Sequence, residues 1–201
     1  MYVNSVIKQN RYPPQKCDKD LQQIFAACFS VQHRTALIGE ASEPLYTPAV
    51  DSGDMHTIYY RHDYFSSALH EVAHWCIAGE KRRQLEDYGY WYAPNGRTTQ
   101  QQQDFQLVEL KPQAIEWAFS LACDIDFSVS IDNLHALDNK DDAALRTQES
   151  LFKKAVKKQL EKYFEFGFPV RALVFLKQLQ AFYKTPTRGL SNTASDDING
   201  D

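Results

Sequence analysis

The residues best suited to chemistry are His70-Glu71-Val72-Ala73-His74, two imidazoles one helical turn apart with a carboxylate between them. Residues four apart on an α-helix share a face, so both rings can reach one ion at about 2 Å, while the neighbouring position is turned away by about 100°. Glu71 therefore stands beside the ion rather than on it, as a candidate catalytic acid–base group. Two buried histidines could instead be hydrogen-bonded core residues. A metal with a third ligand satisfies both at once, and that ligand must come from another element. Glu109 and Glu116 are the leading candidates, with His62 and His135 behind them. Two histidines and one carboxylate serve zinc hydrolysis and also the oxidations of non-haem iron(II). Spacing alone favours the first, a zincin-like zinc metallopeptidase with Glu71 as general base.

The elements that must position these groups are legible around them. Leu69, Val72, Ala73, Cys76 and Ile77 form an apolar stripe on the histidine helix, with Asp63 or Ser66 as N-cap and Gly79 at its end. Thr57–Arg61 is β-branched and aromatic and reads as a strand leading into that helix; Ala36–Ile38 and Leu45–Thr47 read as shorter strands. Upstream, Asp18 or Asp20 caps an amphipathic helix carrying Leu21, Ile24, Phe25, Cys28 and Phe29. Downstream, Pro112 fits the first turn of a helix over Gln113–Cys123 with Ala114, Trp117, Ala118 and Leu121 on one face. That boundary leaves Glu109 at the helix entrance, where the chain can still aim it inward, while Glu116, a lone glutamate next to Trp117, reads as a solvated helix residue. Phe127–Ile131 reads as a strand, and two helices follow, from about Asp141 to Glu165 and from Pro169 to about Lys184. The sum is an α/β fold, a single domain with a small mixed sheet packed against several helices. Residues 1–16 read as a flexible extension, 17–186 as the domain and 187–201 as a disordered acidic tail.

Composition agrees and excludes some functions. A chain of 201 residues, 43% hydrophobic and 13% aromatic, is long enough for one sizeable core. Its net charge of −4 gives no global basic field, so direct nucleic-acid binding is not expected. Cys17, Cys28, Cys76 and Cys123 form no C-x-x-C pair, and no secretory signal or membrane-length apolar run is present. The expected compartment is cytoplasmic, and Cys76 reads as a small core residue.

Longer blocks are more specific than the metal motif. Ser67 to Gly79, Gly89-Tyr90-Trp91-Tyr92 with Pro94 and Gly96-Arg97, Val108 to Ala114 with Trp117, and Val129-Ser130 with Asp132-Asn133-Leu134 together resemble the bacterial elongation factor P hydroxylase family. The resemblance runs from about Asp18 to Pro186. It implies a mononuclear site of His70, His74 and Glu109, with iron(II) as the metal, zinc as a competitor for the same donors, and O₂ as co-substrate. It also implies an α/β fold similar to a metal-dependent ribosomal-RNA-processing endoribonuclease. The implied reaction is hydroxylation of the elongation factor P lysine that carries a β-lysyl group. Such a cationic arm would suit the aromatic faces of Tyr90, Trp91 and Tyr92, with Asp87 or Glu71 as a charge partner.

Overall fold

The histidine helix carries so much apolar surface that the rest of the chain folds around it. The computed structural model describes residues 16–89, 99–131 and 142–185. In order, these form α1 (Asp18–Phe29), β1 (Thr35–Ala41), β2 (Leu45–Thr47), β3 (His56–Arg61), α2 (Phe65–Ile77), α3 (Thr99–Cys123), α4 (Asp142–Phe166) and α5 (Val170–Tyr183). Two short 3-10 turns, Arg82–Gln84 and Glu86–Gly89, follow α2. Among the described residues the fold is one α/β domain with five α-helices and one three-stranded mixed sheet. The strand order is β1-β3-β2, with β1 parallel and β2 antiparallel to the central β3.

Strand β3 turns its β-branched and aromatic residues into the core: Ile58 and Tyr60 are fully buried. Gly39 on β1 lies so close to Tyr60 that a β-carbon there would come within 2.7 Å of the phenol oxygen. Absence of that carbon lets the ring lie across β1 and donate its hydroxyl to Asp18 of α1 at 2.5 Å, while Gln22 donates to the phenol at 2.7 Å. Sheet and first helix are thereby locked together. Beyond β3 the chain reaches α2 within three residues, and the Ser67 hydroxyl accepts the Arg61 N–H at 3.0 Å, fixing the corner.

Helix α2 buries Ala68, Leu69, Val72, Ala73, Trp75 and Cys76. The Trp75 ring meets Phe25 at 5.2 Å, Phe29 at 4.8 Å and His33 at 5.3 Å, an aromatic cluster between α1 and α2. Burial raises the Cys76 thiol well above its ordinary value, consistent with a core residue rather than a ligand. The last carbonyls of α2 are met from α5. Arg171 Nη2 lies 3.0, 3.1 and 2.5 Å from the carbonyls of Trp75, Cys76 and Ala78, with its guanidinium 4.8 Å above the Trp75 ring. A cation at this end also complements the helix dipole. Replacing Arg171 by methionine keeps most of the volume but removes the donors, and should cost about 2–4 kcal/mol in urea unfolding. A loss under about 0.5 kcal/mol would show that the clamp contributes nothing.

Several boundaries differ from the sequence reading, each for a physical reason. The N-cap of α1 is Cys17, not Asp18 or Asp20; Asp18 lies in the first turn with its carboxylate taken by Tyr60. The N-cap of α2 is Tyr64, not Asp63 or Ser66, because the tight corner after β3 starts the helix there. Its C-cap is Ala78, with Gly79 one residue beyond. The largest difference is α3, which begins at Thr99 and continues through Pro112 instead of starting after it. Proline removes one helical donor at a cost of about 3 kcal/mol. Buried residues on both sides of it, Phe105 and Glu109 before and Ala114, Ile115, Ala118 and Phe119 after, make one continuous packed face that outweighs this. Leu121 does not share that face and is 52% exposed. Residues 127–131 form no strand: Ser130 pairs with the side-chain amide of Gln113, and Phe127 stacks on Trp117 at 4.9 Å.

Candidate metal centre

Helices α2 and α3 bring four acid and base side chains to one place. Residues four apart on α2 point His70 and His74 the same way, with their Nε2 atoms 3.0 Å apart. From α3, Glu109 presents one oxygen 3.5 Å from His70 Nε2 and the other 3.2 Å from His74 Nε2. Two donors held about 2.1 Å from one ion at angles of 90–110° are separated by roughly 3.0–3.4 Å, so the spacings suit a single ion with all three ligands on one side. Among the described residues, His70, His74 and Glu109 are the group of this kind that could hold a metal.

A second shell of contacts lies on the same helix. Glu116 accepts a hydrogen bond from His70 Nδ1 at 2.8 Å. Gln113 donates its amide to Glu109 at 3.3 Å and to the Ser130 carbonyl at 2.7 Å, and its own carbonyl accepts the Ser130 N–H at 3.1 Å. Glu109, Gln113 and Glu116 all lie deep on α3. The solvated position expected of Glu116 is therefore wrong. A lone glutamate next to Trp117 on a helix starting only at Pro112 gave no sign of a buried partner; positions 109, 113 and 116 are four and seven residues apart, one helical face, once α3 runs through the proline.

The charges here call for a cation. Burial opposes an imidazolium at His70, yet Glu116, Glu109 and Glu71 outweigh it and hold the ring up to about 10. Burial likewise opposes the Glu109 carboxylate, and His74, His70 and Gln113 overcome it, holding the group at about 2. Two imidazole lone pairs 3.0 Å apart repel unless a proton or metal sits between them. The donor set fits a divalent ion at that place.

Glu71 is half-buried beside this cluster, and burial raises its carboxyl above the usual range, with His70 and His74 acting in the opposite direction. Asp87 and Tyr88 follow in the turn after α2, both with positive φ, of 45° and 59°. One Asp87 oxygen accepts the Tyr46 N–H at 2.8 Å, so it also anchors β2, while Tyr88 stacks on Tyr46 at 4.4 Å. Burial, and then the Glu71 charge, raise the buried Tyr88 phenol well above its ordinary value. Tyr90, Trp91 and Tyr92, which follow in sequence, lie outside the described residues, as does His135. His62 is exposed with its ring against Tyr64 at 5.2 Å, and is not part of the cluster.

An α/β domain that gathers two histidines and a glutamate from two helices carries the donor set of a mononuclear metalloenzyme. The chain belongs to the elongation factor P hydroxylase family, whose profile matches residues 24–193. It is 44% identical over 181 residues to the elongation factor P lysine hydroxylase of Haemophilus influenzae, an alignment covering 90% of this chain and 92% of that protein. The resemblance drawn from the sequence blocks is thus borne out. Among the described residues, no helix is long and apolar enough to cross a membrane.

Proposed function

We propose that this protein hydroxylates the β-lysylated lysine of elongation factor P, using iron(II) held by His70, His74 and Glu109 and taking O₂ as co-substrate. The supporting observation is that these three side chains converge in a chain of this family. When bound, iron(II) supplies the activation of O₂ that C–H oxidation requires. The overall change replaces one C–H bond by C–OH. The second oxygen atom leaves as water, with two electrons and two protons from an external reductant.

The chain's own residues have the tasks of orientation and proton handling. With three protein ligands, further coordination positions of the ion would remain for substrate and O₂. Glu71, next to His70 in the chain and with its carboxyl raised by burial, is the proposed proton-holding group. A lysyl-lysine arm is long and cationic, so it needs negative charge and aromatic faces along its path. Asp87 and the following Tyr90, Trp91 and Tyr92 are the proposed arm-binding residues. The reaction and the substrate are cytoplasmic, and neither calls for nucleic acid or membrane.

The test is to supply the protein with iron(II), a reductant and O₂, add β-lysylated elongation factor P, and read the modified peptide by mass spectrometry. Gain of one oxygen atom on the modified lysine is the expected result. No gain under these conditions would return the site to hydrolysis, with Glu71 as general base.

A further inference from the structure

We infer that Glu116 determines which nitrogen of His70 faces the ion: by accepting the Nδ1 proton it leaves Nε2 as the ligand atom. This rests on the metal-site reading above and adds a positioning residue to it. The Glu116 oxygen lies 2.8 Å from Nδ1, whereas His74 and Glu109 approach the same ring at Nε2, at 3.0 and 3.5 Å. The two nitrogens of an imidazole direct their bonds to different sides of the ring. Glu116 therefore sits behind His70, on the side of the ring away from His74 and Glu109.

A neutral imidazole carries one proton, and the partner of one nitrogen decides the state of the other. A carboxylate at Nδ1 can only accept, so it keeps the proton there and the Nε2 lone pair free. The same negative charge makes the ring a stronger donor to a metal, and loss of such a partner typically weakens metal binding about 10–100-fold. Glu116 is well placed to act without moving: it is 9% exposed, and Gln113, one turn earlier on α3, braces Glu109. Two of the three proposed ligands are then held from outside, His70 by Glu116 and Glu109 by Gln113.

The experiment uses the full-length protein loaded with zinc, which accepts the same donors and is suited to nuclear magnetic resonance. Zinc affinity is measured by competition with a chelating dye for the wild type and for Glu116→Gln. In parallel, long-range proton–nitrogen correlation identifies the protonated nitrogen of His70. The expected wild-type result is zinc on Nε2 and a downfield, slowly exchanging proton on Nδ1. Glu116→Gln should then bind zinc about 10–100-fold more weakly, with that proton shifted upfield and exchanging faster. Unchanged affinity together with an unmoved proton would overturn the inference alone. Coordination of wild-type His70 through Nδ1 would also overturn it, and needs no variant to be folded. Failure of the wild type to bind zinc or any other divalent ion would overturn the metal-site reading and this inference with it.

Discussion

Replacing His74 by alanine is expected to lower hydroxylation of elongation factor P about 10³-fold or more, and to leave the purified protein without stoichiometric metal. In the proposed site His74 supplies one of three ligand atoms; its Nε2 lies 3.0 Å from His70 Nε2 and 3.2 Å from Glu109. Two remaining ligands do not fix an ion or its open positions, and metal chemistry accounts for several kcal/mol of such a barrier. The fold should survive, because alanine is the best helix former and the ring lies at the site rather than in the aromatic core. Activity and metal content measured on the same preparation check this. Retention of a tenth of wild-type turnover would remove His74 from the ligand set.

The second large effect concerns stability. Trp75 lies one residue beyond His74 and is turned about 100° from it around the helix, fully buried against Phe25, Phe29 and His33 and beneath the Arg171 guanidinium. Trp75→Ala removes the largest fully buried side chain and opens a cavity that helices α1, α2 and α5 cannot all close. The expected cost is about 3–5 kcal/mol in urea unfolding, a large share of the 5–15 kcal/mol that holds a typical domain together. The same change should weaken metal binding only as far as the end of α2 loosens. A cost under about 1 kcal/mol would mean that the cluster is not the mechanical base of the site. Different faces of one helix thus carry the proposed ligands at residues 70 and 74 and the structural support at residue 75.

The sequence made the site helix readable because its two signals coincide: histidines four apart, and an apolar stripe with a period of 3.6. Strand β3 was equally clear, since Ile58 and Tyr60 alternate inward as a half-buried strand requires. What was not readable turned on one residue. Pro112 is a strong stop signal locally, and only tertiary packing along the whole of α3 overrides it. Breaking the helix there separated Glu109 from Glu116 and hid Gln113, although a helical face through 109, 113 and 116 would have joined all three. The missing strand at 127–131 has a related cause. Its Phe and Val residues fit a strand, but its backbone partner is the Gln113 amide, a side chain that no local pattern could identify. Caps failed for a similar reason, because Asp18 finds a stronger partner in Tyr60 than in its own helix.

In the proposed reaction, oxygen from O₂ enters the modified lysine of elongation factor P at a site of His70, His74 and Glu109. The most direct measurement supplies β-lysylated elongation factor P, iron(II) and a reductant under isotopically labelled oxygen gas in ordinary water, and weighs the modified peptide. The predicted result is one labelled oxygen atom per modified lysine, absent with Glu109→Ala. A peptide of unchanged mass, or one carrying oxygen from water, would contradict the account.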